Sequence, residues 1–457
     1  MRIEFKNLGF VKNVELDLDK DLTILCGPNN TGKTYVAYAV YGLMKYRSQV
    51  NPSKEVVESI KNLFEKGQIE IDITKLIKDN NDTILNSISD SFKKRIPGIF
   101  AADKSTFSKT EVKLKLGNIE NINTRILPIS INQEFGIRNS FTIKILKEEN
   151  SKYLNCIVIN NDSKENSNKA DIPTGVLLEF IADRIFNILN DFIFYNTYIA
   201  PAERIAINIF SKELSLKRNI LVDKLLDLKD DSKDDDPLDL VKRRATRYPL
   251  PIRDSLEISE DLNNFKKTTS EFENFANEIE QQILKGQVLI SKEGDVQFKP
   301  DKAKSLKLPI HLTASVVKSL SSLVIYFRHI AKEGDFIIID EPELNLHPDN
   351  QVIIARIIAK IVNKGFKVLV STHSDYIIRE LNNLIMLHKN TELVKKYNLS
   401  EDSLLNYTKI DAILFQYQQR KSVRLKVDET GFEVETIDKT INELNERAQE
   451  LYFTSEF

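Results

Sequence analysis

Three short stretches of the chain carry residue types that do chemistry together. The first, residues 27–34, reads GPNNTGKT and fits the pattern G-x-x-x-x-G-K-[ST]. Gly27 and Gly32 let the main chain pass closely around phosphate groups. The N–H groups of the loop, with Asn29, Asn30 and Thr31 between the glycines, point inward, and a following helix directs its positive end to the same spot. Lys33 then reaches the β- and γ-phosphates of a nucleotide such as ATP, and Thr34 supplies a hydroxyl to Mg²⁺. The alternative is a chance match on a flexible loop, which is rare in a chain with only 14 glycines.

The second stretch, residues 337–348, reads IIIDEPELNLHP. An apolar run ends in two adjacent acids, Asp340 and Glu341. Burying one unpaired carboxylate is costly, and two side by side repel, so a metal ion or a solvated cleft must offset them. If Asp340 ends a strand near the phosphate loop, its carboxylate faces Mg²⁺. Glu341 then sits beside the γ-phosphate, where it accepts a proton from, or orients, the attacking water. The competing reading is a pair of acids at the start of the next helix, where negative charge is also favoured. The third stretch, STHSD at 371–375, follows another apolar run. His373 there offers a donor to the γ-phosphate; the alternative is a core histidine with a satisfied ring.

These residues work only if strands and helices deliver them to one place. LTILC, residues 22–26, is a continuous apolar run suited to a strand covered on both faces, and the segment after the loop reads as a helix. FIIID and KVLVSTHS are runs of the same kind, separated by a helix starting near Asp349, which is the rhythm of a parallel sheet. Alternation before residue 20 predicts a hairpin, and short alternating pieces between about 110 and 160 predict an antiparallel sheet. The expected fold class is therefore α/β, with a mixed, largely parallel core sheet and an antiparallel β subdomain. Residues 203–284 are strongly charged and read as a helical, coiled-coil-like insertion between an N-terminal part, 1–202, and a C-terminal part, 285–457. Within it, the acidic run 227–237 reads as a solvated loop. Lys242, Arg243, Arg244 and Arg247 read as a soluble helix face or a nucleic-acid contact.

Composition excludes several classes. A length of 457 residues suggests two to three domains. A net charge of −2 gives no global basic field to recruit nucleic acid. Two cysteines, Cys26 and Cys156, without paired spacing argue against a disulfide framework or a zinc site. No apolar run is long enough for a membrane span, and the N-terminus lacks a signal-peptide core, so no membrane partner and a cytoplasmic location are expected.

In their order and wording the three stretches resemble ABC-type P-loop ATPase heads, and DEPELNLHP is close to the OLD-like and SMC-like prokaryotic forms. YIAPAERIAI at 198–207 and VETIDKTINELN at 434–445 are similar to ATPase subunits of antiphage systems such as PARIS and Septu. The resemblance implies that Lys33 and Thr34 form the Walker A pair. It makes Asp340 the Walker B acid, Glu341 the catalytic glutamate and His373 the switch histidine. It places Glu343 to His347 in a segment touching a partner subunit. The signature loop is held by HLTASVVKSL, 311–320, with no glycine, and Ser315 best matches the serine that reaches the other subunit's γ-phosphate. The family's Q-loop glutamine has no evident match.

The resemblance further implies homo-oligomers through head dimers and a separate effector of Toprim or HNH nuclease type. A phage-derived protein or DNA would be the trigger. The alternatives are a DNA-handling ATPase of chromosome or repair type, a transporter's nucleotide-binding subunit and a fused OLD-type nuclease. The charged insertion and non-standard signature disfavour the transporter. No acidic cluster after His373 provides the nuclease.

Overall fold

Four apolar runs become adjacent strands because each is covered on both faces. A computed structural model describes residues 1–45, 62–63, 66–79, 81–117, 126–137, 141–160, 180–182, 184–185, 188–189, 192–211, 248–303, 305–417 and 421–454. The core sheet is built from β1 (Leu22–Cys26), β2 (Thr197–Ala200), β3 (Phe336–Asp340), β4 (Lys367–Thr372), β5 (Ile410–Phe415) and β6 (Ser422–Arg424). Its spatial order is β6-β5-β1-β4-β3-β2. The pairings are parallel except at the β6 edge, which runs antiparallel to β5. Every residue of β1, β3 and β5 is buried, as continuous rather than alternating hydrophobicity requires.

Register sets the site. Cys26 pairs with Thr372, Asp340 with Ser371 and Ile339 with Ala200. The last residues of β1, β4, β3 and β2 therefore share one edge, the carboxyl edge where ligands bind in open parallel sheets. Helix α1 (Lys33–Lys45) leaves the loop after β1. Helices α2 (Ser315–Ile325), α3 (Pro348–Asn363) and α4 (Asp375–Leu387) flank β3 and β4 in sequence. Helix α3 starts at Pro348, where a missing N–H is harmless. Helix α4 is capped by Ser374, whose Oγ accepts from the Ile377 N–H at 3.2 Å.

Two compact units divide the chain. One comprises Phe5–Gly42, Arg95–Glu111 and Thr197–Phe457 and contains the core sheet; the other comprises Met1–Glu4, Leu43–Lys94 and Val112–Asn196. The latter holds the expected antiparallel sheet, built from Gln68–Asp72, Tyr153–Asn160, Phe141–Lys147 and Ile131–Ile137 in that spatial order. Its strand Gln68–Asp72 lies outside the span of about 110–160 where alternation predicts strands, and it pairs antiparallel with Tyr153–Asn160.

The span read as an insertion, 203–284, does not behave uniformly. Residues 212–247, including the acidic run and the Lys242–Arg247 cluster, lie outside the described residues. Residues 250–284 supply Leu262, Phe272, Phe275, Ala276, Ile279, Ile283 and Leu284 to the same apolar cluster as Leu22 and Ile337. An apolar stripe packs inward, and Glu280 is buried with it, paired with Arg328 at 2.9 Å.

Candidate functional site

The loop after β1 is shaped by two glycines that admit no other residue. Gly27 has φ +127°, and a Cβ there would stand 2.3 Å from the Phe415 carbonyl oxygen. Gly32 has φ +100°, and its Cβ would meet Val11 Cγ2 at 2.4 Å. Both clashes lie in the positive-φ region that side chains avoid. Between them Asn30 also takes a positive φ, +59°. Lys33 is buried and folds back over the loop, donating to the carbonyls of Gly27 at 2.8 Å and Pro28 at 2.7 Å. Burial pulls its ammonium below the usual lysine range, and the nearby Glu341 carboxylate opposes that shift.

Asp340 closes β3 and is fully buried. Its Oδ1 accepts from the Ser371 hydroxyl on the adjoining strand and from Thr34 Oγ1 at 3.4 Å. Its Oδ2 is buried and has no hydrogen-bond partner. Burial pushes the carboxyl from 3.8 up to about 6, against the two hydroxyls, which stabilise the charged form. The chain thus brings the carboxylate and hydroxyl expected at Mg²⁺ together and leaves one buried carboxylate oxygen without a donor. Among the described residues no cluster of three or more His, Cys, Asp or Glu forms a closed metal cage. The Thr34 hydroxyl and the unpartnered Asp340 oxygen fit Mg²⁺, which binds through one or two protein oxygens, waters and substrate phosphates.

Glu341 points elsewhere. Its φ is +51°, a left-handed conformation that a residue of this type rarely adopts. The turn separates the two acids: Asp340 stays inside, while Glu341 lines an open cavity of about 170 Å³ with Asn29, Asn30, Thr31, Gly32, Lys33, Thr34, Tyr35 and Phe10. The Glu341 N–H is held by the Ser371 carbonyl at 3.0 Å. The reading of the acids as the start of the following helix does not fit, since α3 begins only at Pro348.

Arg204 lies in the stretch YIAPAERIAI, where its residue type and spacing carry no sign of its role. It is 1% exposed. Its guanidinium donates to the carbonyls of Asp340 and Glu341, each at 2.7 Å, and to Pro201 and Ser319 carbonyls, each at 3.0 Å. One buried cation therefore braces the strained peptide at the acid pair and ties it to α2. The Ser319 hydroxyl adds a bond to the Leu344 carbonyl at 3.1 Å.

His373 follows β4, and its Nδ1 stands 3.1 Å from Glu343 Oε1 and 3.8 Å from Glu341 Oε1. Glu343, expected to face a partner, is instead buried. It is drawn inward by the Thr372 hydroxyl at 2.9 Å and the His373 N–H at 2.8 Å. Ser315 is the exposed first residue of α2 and does not line the cavity at the phosphate loop.

Phe10 was also missed. It lies between the strands Arg2–Leu8 and Val11–Asp17, is 52% exposed, and meets Tyr35 edge-on at 6.1 Å. Tyr35 stacks on Phe100, which stacks on Phe107. A lone Phe in a turn carries no motif that sequence reading would detect.

Residues 1–378 match the family described as AAA ATPase domain, AAA_15. Among solved structures the chain is similar to a Pyrococcus furiosus Smc head domain bound to the C-terminal domain of ScpA. That match has 14% identity and TM-score 0.32, and covers 97% of this chain and 98% of that one. It is also similar to an SMC head domain from Thermotoga maritima, with 10% identity, TM-score 0.30 and coverage of 93% and 98%. No curated protein matches the chain.

Proposed function

Because the chain belongs to the AAA ATPase domain family, we propose that it is an ABC-type ATPase head whose site lies between the phosphate loop and the acid pair. The observation that carries this reading is the meeting of Thr34 and Asp340 beside a cavity lined by both Lys33 and Glu341. Lys33 and the loop N–H groups hold the β- and γ-phosphates. Thr34 and Asp340 hold Mg²⁺, which when bound neutralises developing phosphate charge. Glu341 orients the attacking water or takes its proton, and His373 lies across from it. A second head completes the site through Ser315. The exposed position of Ser315, outside its own head's cavity, is consistent with a role in trans.

In the cell, the reading is a cytoplasmic sensor and scaffold of antiphage defence. ATP-driven assembly would control a separate nuclease-type effector after a phage protein or DNA appears. Its support is the wording of DEPELNLHP and YIAPAERIAI. The test has two parts. Lys33→Ala should abolish Mg-ATP binding in a folded protein, and Glu341→Gln should bind ATP but lower turnover by roughly 10²- to 10⁴-fold. Equimolar Lys33→Ala and Ser315→Arg chains should regain part of the ATPase activity that neither has alone. If demonstrably mixed oligomers stay inactive, the trans site is wrong. Phage plating with the neighbouring gene present or deleted tests the defence role.

A further inference from the structure

Glu343 is a buried carboxylate used in an unusual way. Its Oε1 receives the Thr372 hydroxyl at 2.9 Å and the His373 N–H at 2.8 Å, and stands 3.1 Å from His373 Nδ1. Its Oε2 is buried without a hydrogen-bond partner. Two of these contacts are hydrogen bonds, from the Thr372 hydroxyl and the His373 N–H, and the Nδ1 contact is a close ion-pair approach. Thr372 Oγ1 accepts from the Ser374 N–H at 3.0 Å and donates to Glu343 Oε1. An Oε1 that accepts from a hydroxyl and a main-chain N–H is not itself protonated. Toward Nδ1 it can therefore act only as an acceptor. Glu341, at 3.8 Å from the same nitrogen, is too far to compete.

We propose that Glu343 is a positioning residue that locks His373 in the Nδ1–H tautomer. The partner of one ring nitrogen decides the protonation of the other. A histidine free in water favours the Nε2–H form; here Nδ1 carries the hydrogen and Nε2 carries the lone pair. The ring is 39% exposed, so Nε2 has access to the open side. Neutral His373 consequently presents an acceptor there, suited to a water O–H. It becomes a donor to a phosphate oxygen only as the imidazolium. The main-chain bond to the His373 N–H fixes the backbone as well, so one carboxylate sets both the place and the polarity of the ring. The catalytic consequence rests on the reading of His373 as a site residue; the tautomer itself does not.

The decisive measurement is a long-range ¹⁵N–¹H spectrum of the full chain with ¹⁵N-labelled histidine, without nucleotide, at about pH 8. The chain has five histidines, and His373 is assigned by the signal lost in His373→Gln. His373 should show the Nδ1–H pattern in the wild type. It should keep that pattern in Glu343→Gln, where the Thr372 hydroxyl and the His373 N–H hold the amide oxygen inward. It should switch to Nε2–H in Glu343→Ala. An Nε2–H pattern in the wild type, or an unchanged one in Glu343→Ala, overturns the proposal. Should Glu343→Ala fail to fold, the wild-type spectrum alone decides.

For the catalytic arm, Glu343→Ala and His373→Ala should lower kcat by similar factors, and the double variant no further, with ATP affinity within about threefold of wild type. Multiplicative losses overturn the positioning role. A wild type that binds no ATP would instead sink the functional reading, with the tautomer result intact.

Discussion

Replacing Asp340 with Asn should stabilise the protein when nucleotide and metal are absent, and the gain should depend on pH. The carboxyl is fully buried and raised from 3.8 to about 6, chiefly by burial. A raised folded-state pKa means that the stability tied to the neutral acid is fully present below about pH 3.8 and is lost as pH rises through about 6. At about 1.4 kcal/mol per pKa unit, a shift of about two units corresponds to roughly 3 kcal/mol of penalty above pH 6. Asparagine removes that penalty and keeps an oxygen to accept from Ser371 and Thr34. Its NH₂ takes the place of Oδ2, which has no partner, and burying those donors unsatisfied costs about 1 kcal/mol. The net expectation is that Asp340→Asn is more stable by roughly 2 kcal/mol at pH 7.5 and slightly less stable than wild type near pH 4. Urea midpoints in EDTA from pH 4 to 8 measure this, and the difference between the two proteins cancels other titrating groups. Added Mg-ATP should stabilise wild type and leave Asp340→Asn unmoved. A wild type at least as stable at pH 7.5, or a gap that ignores pH, would refute the reasoning.

Two other changes test what sequence reading missed. Arg204→Lys keeps the charge but loses the planar fork, so it cannot serve four carbonyls. With each orphaned buried acceptor costing about 1–3 kcal/mol, stability should fall by roughly 2–5 kcal/mol. Turnover should drop further than ATP affinity, because the Glu341 peptide loses its brace; unchanged kcat in a destabilised protein would make Arg204 purely structural. Phe10→Ala should weaken ATP and GTP binding alike by roughly 5- to 100-fold, the scale of one base–aromatic stack, and leave tripolyphosphate affinity unchanged. Equal loss for tripolyphosphate would show that the ring only packs the loop.

The legible parts of the molecule were those where one local pattern has one structural answer. LTILC, FIIID and KVLVST are continuous apolar runs, and all three became central parallel strands. The phosphate loop was readable because its glycines meet a requirement no other residue satisfies. The hidden parts depend on tertiary context. Arg204 is one cation beside Glu203 in an otherwise uncharged stretch, and only the fold shows that four carbonyls surround it. Residues 250–284 looked too polar for a core, because an apolar stripe such as Phe272, Phe275, Ala276 and Ile279 is diluted by the charges on the other face. Glu343 was assigned outward with its segment, yet a single register fact, β4 beside β3, puts Thr372 and His373 within its reach.

The adjacent acids are reconciled by geometry before any ligand is considered. Glu341 takes a left-handed φ of +51°, a conformation that costs on the order of 1–3 kcal/mol and persists only where its surroundings impose it. Arg204 is that surrounding: its guanidinium grips the carbonyls on both sides of the Asp340–Glu341 junction and offers a buried positive charge to both acids. The strain sends the two carboxylates to different environments. Asp340 goes inward to the Ser371 and Thr34 hydroxyls and Glu341 to the cavity beside Lys33. Because the same Arg204 also holds Ser319 of α2, a shift of α2 could not leave the acid pair undisturbed. Ser315 begins that helix. If a second head contacts Ser315 as proposed, Arg204 links that helix to the Glu341 peptide.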